Sequence, residues 1–177
     1  MKFLKLLGLF FFALILVIGE ISFPFLPEGV SLVFIFLLLG LIYNGQKPYY
    51  QREKLRFYII AFAFMGGLFL DIFSLFPPGV FILSLLITVY LIDKIFLPQF
   101  NFNSFLSIFI FSLFFNLIYR GLILFFVFLT QLSGFLDFPV VINKFYLLIT
   151  LQAIFLNSAL VCLFFALVFW AKKTKKK

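Results

Sequence analysis

The sequence predicts an all-α integral membrane protein, a compact bundle of about six transmembrane helices. Three observations predict it. The first is composition: 66% of the 177 residues are hydrophobic and 11% are charged, where soluble domains carry about 45–50% and about 25%. One small globule cannot hide that much apolar surface, so much of it must face lipid. The second is continuity. The apolar residues form long uninterrupted runs, unlike the alternating segments of about 10 residues in a membrane barrel, and helices satisfy such backbones in lipid. The third is charge placement. Basic residues cluster beside the runs at alternate breaks, as orientation signals do.

Each element follows in order. The N-terminal run, MKFLKLLGLFFFALILVIGE, imitates a signal peptide, but Gly19-Glu20-Ile21 is a poor cleavage site and further apolar runs follow. A retained first helix over about 3–21 is expected. Pro24 and Pro27 introduce a second helix over about 29–43. The third covers about 55–74 and the fourth about 80–96, with Pro77-Pro78-Gly79 as the break between them. The fifth covers about 103–131 and the sixth about 144–171. Six spans of roughly 20 residues take about 120 residues, which leaves short loops. Residues 1–171 therefore read as a single transmembrane domain, followed by a basic tail at 172–177.

Six spans place the N-terminus, 44–54, 93–103 and the C-terminus on one side. These segments hold Lys2, Lys5, Lys47, Arg52, Lys54, Lys94 and the terminal lysines, with Arg56 adjacent. The opposite loops hold Glu20, Glu28 and Asp137, with Lys144 at their edge. The expected location is a bacterial cytoplasmic membrane, multi-pass, with both termini cytoplasmic. The terminal lysines can also touch anionic membrane lipids. The net charge of +8 is spread over these short clusters and forms no folded basic face for nucleic acid.

Little catalytic chemistry is on offer. The chain has no histidine and one cysteine, Cys162. That excludes zincin motifs, histidine triads and imidazole metal sites. No phosphate cradle or nucleophile elbow is present. No repeat of the first half is evident in the second, which disfavours an inverted-repeat transporter. Catalytic residues, metal and cofactor are all expected to be absent.

Two charges, Asp71 and Arg120, interrupt apolar runs. Each costs about 2.5–3.5 kcal/mol at a helix centre, so such residues usually face the bundle and find a partner. Both fall in the outer part of their helices, and they can pair. The simpler alternative is that each snorkels to the outer interface. Ala63, Gly67 and Asp71 recur at a spacing of four, with Ser74 next, a stripe of small residues that lets a neighbouring helix approach. Ser112, Asn116 and Arg120 make a similar stripe on helix five. Helix four adds Ser84 and Thr88, and helix six adds Thr150 and Asn157. The plain reading is interhelical hydrogen bonding. A ligand pocket open to the outside and a docking face for another membrane protein are the sharper ones.

The stretch Met65-Gly66-Gly67-Leu68-Phe69-Leu70-Asp71-Ile72-Phe73-Ser74, then Pro78-Gly79, then an apolar run ending Val89-Tyr90-Leu91, resembles the rod shape-determining protein MreD family. The matching positions are Gly67, Asp71, Ser74, Gly79 and Tyr90, and Pro27-Glu28 before helix two is also similar. Leu75 and Pro78 depart from the pattern, and the resemblance covers about residues 60–92. It implies a non-enzymatic scaffold of the rod complex in side-wall peptidoglycan synthesis and cell-shape maintenance. The implied partners are an MreC-like protein and, through it, MreB, RodA and a class B penicillin-binding protein. It also implies a fold like the substrate-binding subunits of energy-coupling-factor vitamin transporters, and such a subunit is the alternative. Those subunits dock through a small-residue face of helix one, where this chain offers only Gly8 and Ala13. In the scaffold reading Gly67, Asp71, Ser74 and Gly79 shape the helix three–four hairpin. Asp71 then either accepts from backbone N–H groups of the Pro77–Gly79 turn or pairs with Arg120.

Overall fold

The computed structural model describes residues 2–22, 30–47, 49–74, 76–100, 102, 104–134 and 144–174. Within them the chain is all-helical, with no strand. The helices are α1 (Lys2–Ser22), α2 (Leu32–Gly45), α3 (Tyr49–Phe73), α4 (Val80–Leu91), α5 (Phe105–Leu132) and α6 (Lys144–Thr174). A π-helical turn, Ile92–Phe96, continues α4. Four segments are long and apolar enough to cross a bilayer: Leu4–Ser22, Gln51–Phe73, Phe105–Leu132 and Tyr146–Leu167. At 14 and 12 residues, α2 and α4 are shorter than the roughly 20 residues of a free-standing span.

The helix positions follow the sequence expectation, and the boundaries differ for local reasons. α2 starts after Ser31, whose hydroxyl accepts from Phe34 N. α5 starts after Ser104, which accepts from Ser107 N. Both are ordinary N-caps. α3 begins at Tyr49 rather than near residue 55, because Gln51, Arg52, Glu53 and Lys54 are good helix formers and prolong the helix past its apolar run. The fourth helix does not continue unbroken to residue 96; it widens into the π turn, where Leu97 N donates to Ile92 O.

α2 sits at the centre, packed on α1, α3 and α6. Its sequence, LVFIFLLLGLIYNG, is apolar nearly all round, as in helices that are largely buried, although Phe36, Leu39 and Gly40 are half-buried and Tyr43 is exposed on one face. Val33, Phe34, Leu38 and Ile42 are fully enclosed, and Phe34 stacks on Tyr119 of α5 with centroids 4.5 Å apart. The other helices surround it, with α3 against α4, α4 against α5 and α5 against α6. α1 is the outermost: 17% of its apolar window is buried, against 39% for α3 and α5. Its Leu4, Phe11, Ile15 and Ile18 face outward, as lipid-facing side chains would.

Successive helices reverse direction. The last turns of α1 and α3 and the starts of α2 and α4 line one cavity. The first turns of α1 and α3 and the end of α2 line another. These define a hairpin end and a lysine end. At the lysine end Arg56 Nε of α3 lies 2.7 Å from Asp93 Oδ2 of the π turn, tying α3 to the end of α4.

Candidate functional site

Gly67, Asp71, Ser74 and Gly79 meet at the hairpin end, and Arg120 lines the cavity there. α3 and α4 approach closely because Gly67 has no side chain: a Cβ there would lie 2.7 Å from Ile82 Cα and 3.0 Å from Ile82 N. One turn further, Asp71 is 6% exposed and caps α4. Its Oδ2 accepts from Gly79 N (3.0 Å) and Ile82 N (3.2 Å), and its Oδ1 from Phe81 N (2.9 Å). Three donors that α4 cannot satisfy internally thus meet one carboxylate, and the positive end of the helix dipole favours its charge. Gly79 supplies the first donor from φ +102°, a conformation open to glycine and strained for other residues. Ser74 closes the turn, donating to Asp71 O and accepting from Phe76 N.

Of the two roles expected for Asp71, the backbone role is the one observed. The pair with Arg120 is not formed; among the described residues the ion pair within 4 Å is Arg56–Asp93. The reason is proximity: the three N–H groups lie in Asp71's own hairpin.

The same device recurs one hairpin earlier, where the sequence reading missed it. Glu20, expected in an outer loop, belongs to the last turn of α1. Its Oε2 accepts from Leu32 N (3.1 Å) and from the Ser31 hydroxyl (3.3 Å) at the start of α2. In both hairpins an acid at the end of an apolar run precedes a proline-bearing break and caps the following helix. That pattern, Glu20 before Pro24 and Pro27 and Asp71 before Pro77 and Pro78, is visible in the sequence. Pro27, Glu28 and Asp137 lie outside the described residues.

Buried amides join the remaining helices. Asn157 Oδ1 on α6 accepts from Ser31 N (3.2 Å), and Asn116 Nδ2 on α5 donates to Ile154 O of α6 (3.3 Å). These are the interhelical hydrogen bonds expected of Asn116 and Asn157. Thr88 differs: its hydroxyl donates to Ser84 O, a bond within its own helix.

Between the two caps lies a cavity of about 240 Å³. Glu20, Ser31, Ser74, Tyr119 and Arg120 give it polar walls, and Leu70, Phe81 and Ile123 apolar ones. Arg120 therefore shares this space with Glu20. From Leu124 to Leu132, α5 runs on past the cavity for about 13 Å at 1.5 Å per residue, with Phe125, Phe128 and Leu132 exposed. Among the described residues no group of three or more His, Cys, Asp or Glu could hold a metal ion. The polar groups can bind and orient, by one carboxylate, one guanidinium and hydroxyls. No family model, curated protein or solved structure matches the chain.

Proposed function

We propose that this chain is a non-enzymatic membrane scaffold of the MreD type, acting in the rod complex that builds side-wall peptidoglycan. The observation that carries the reading is how the motif residues are used. Gly67, Asp71, Ser74 and Gly79 are spent on one hairpin, as close approach, helix cap and turn. A motif consumed by architecture suits a family that works by presenting surfaces. The apolar stretch of α5 beyond the cavity, with Phe125, Phe128 and Leu132 outward, offers one to a partner's membrane helix. The partner in this reading is an MreC-like protein, with MreB, RodA and a class B penicillin-binding protein reached through it.

In the same reading all six helices cross the cytoplasmic membrane and both termini face the cytoplasm. α2 needs fewer residues than a fully lipid-facing helix because α1, α3 and α6 cover most of it. Lys5, Lys47, Lys54 and Lys94 gather at the lysine end, as the positive-inside bias requires. Depleting the protein in its own rod-shaped host tests the function. Cells should round up and lose side-wall incorporation; unchanged rods would overturn it.

The alternative, an energy-coupling-factor substrate-binding subunit, draws on the cavity between Glu20 and Arg120, which is open to a small polar ligand. The wide apolar side chains of α1, with Gly8 and Ala13 its small ones before Gly19, favour the scaffold.

A further inference from the structure

At the lysine end, lysines from separate parts of the chain surround one cavity of about 560 Å³: Lys5 on α1, Lys47 after α2 and Lys54 on α3. Tyr43 and Gln51 complete its polar wall. Lys47 Nζ lies 4.6 Å from the centre of the Tyr43 ring. The turn that carries Lys47 is held by Arg52, whose Nε donates to Lys47 O (2.8 Å) and whose Nη2 donates to Gly45 O (2.9 Å). Arg52 is thereby committed to the backbone, while Lys5, Lys47 and Lys54 line the cavity. Glu53 is not among its walls.

Leu55 and Tyr58 line this cavity and also a second one of about 180 Å³. The second is apolar, walled by Leu9, Phe12, Phe36 and Phe62, and Gly40 keeps it open. The two spaces share these two wall residues and so adjoin on the α1–α2–α3 face. A cationic chamber beside an apolar groove matches the two ends of an amphiphile.

We propose that this composite groove binds one anionic phospholipid of the surrounding leaflet, with phosphate among Lys5, Lys47 and Lys54 and an acyl chain along Gly40. Charge complementarity selects the head, since basic pockets between membrane helices favour multiply anionic heads such as cardiolipin. The adjoining apolar groove selects a lipid over a soluble phosphate. The inference rests on the membrane location alone and stands whichever partner complex the chain serves.

Native mass spectrometry of the full-length protein in detergent tests it, with cardiolipin, phosphatidylglycerol, phosphatidylethanolamine and water-soluble glycerol phosphate as probes. One cardiolipin or phosphatidylglycerol should bind at least about ten-fold tighter than phosphatidylethanolamine, and glycerol phosphate should not displace it. Lys47→Gln with Lys54→Gln should remove that preference, while Lys94→Gln, on the π turn outside the cavity, should leave it. Gly40→Leu fills the groove and should weaken binding with all lysines present. Gly40→Ala, whose Cβ would meet only Ile59 Cγ1 at 3.7 Å, should fold and bind. Equal binding of phosphatidylethanolamine, displacement by glycerol phosphate, or an equal loss in Lys94→Gln would overturn the proposal.

Discussion

Replacing Asp71 by alanine removes the acceptor of three backbone N–H groups at once, those of Gly79, Phe81 and Ile82. Each hydrogen bond to a charged group contributes about 1.5–3 kcal/mol. The carboxylate is 6% exposed, so its desolvation offsets much of that sum. Losing an N-cap alone costs about 0.5–2 kcal/mol, and charge at a partly buried helix end adds up to about 2 kcal/mol. The net loss for Asp71→Ala is therefore about 1–4 kcal/mol. For a chain of this size 1 kcal/mol moves the midpoint by about 2–4 °C, so the expected fall is about 2–16 °C. Fluorescence-detected size exclusion after heating in mild detergent measures it. Asp71→Asn keeps one acceptor oxygen and should lose about half as much. An Asp71→Ala midpoint within about 1 °C of the parent, or Asp71→Asn more stable than the parent, would refute the capping argument.

Other perturbations follow from the same geometry. Gly67→Ala places a methyl 2.7 Å from Ile82 Cα. Backbone cannot yield as a side chain can, so about 1–3 kcal/mol should be lost in the same melting assay. Gly79→Ala has open space around it but a φ of +102°; a loss of about 1–3 kcal/mol from strain alone is expected. Arg56→Ala leaves Asp93, whose side chain is 10% exposed, without its cation, and should destabilise by more than the roughly 1 kcal/mol of a surface pair. The exchange Arg56→Asp with Asp93→Arg should recover part of that loss, and no recovery would deny the coupling. In a Cys162→Ala background, Ser133→Cys should react with an impermeant maleimide on intact cells, and Lys94→Cys only after permeabilisation.

Hydropathy made the helices legible because lipid-facing and core-facing residues are both apolar, and the breaks between runs are polar or contain proline. The same measure misplaced the start of α3, because Tyr49 to Lys54 are polar and still helical. It was silent on the π turn, whose single widened turn leaves no mark on composition. Gly67, Asp71, Ser74 and Gly79 were readable as a hairpin, and the backbone role of Asp71 stood as one of two alternatives, beside the pair with Arg120. The Asp71–Arg120 pair was an inference of depth alone. Depth does not say which neighbour a helix faces, and Arg120 lines the cavity with Glu20 instead. Glu20 was missed because an acid near a break looks like a solvated loop residue. Its hydrogen bonds to Leu32 N and the Ser31 hydroxyl depend on α2 folding back on α1. The Arg56–Asp93 contact likewise joins residues far apart in sequence, with no local spacing to betray it.

The scaffold reading is tested most directly by what the protein holds in its own membrane. The tagged full-length chain, extracted in mild detergent and analysed by mass spectrometry, should retain an MreC-like bitopic protein in a stable complex. Asp71→Ala and Gly67→Leu, which loosen the α3–α4 hairpin, should reduce that recovery. A stable complex with the ATPase and coupling subunits of a vitamin transporter, and no MreC-like protein, would contradict the account.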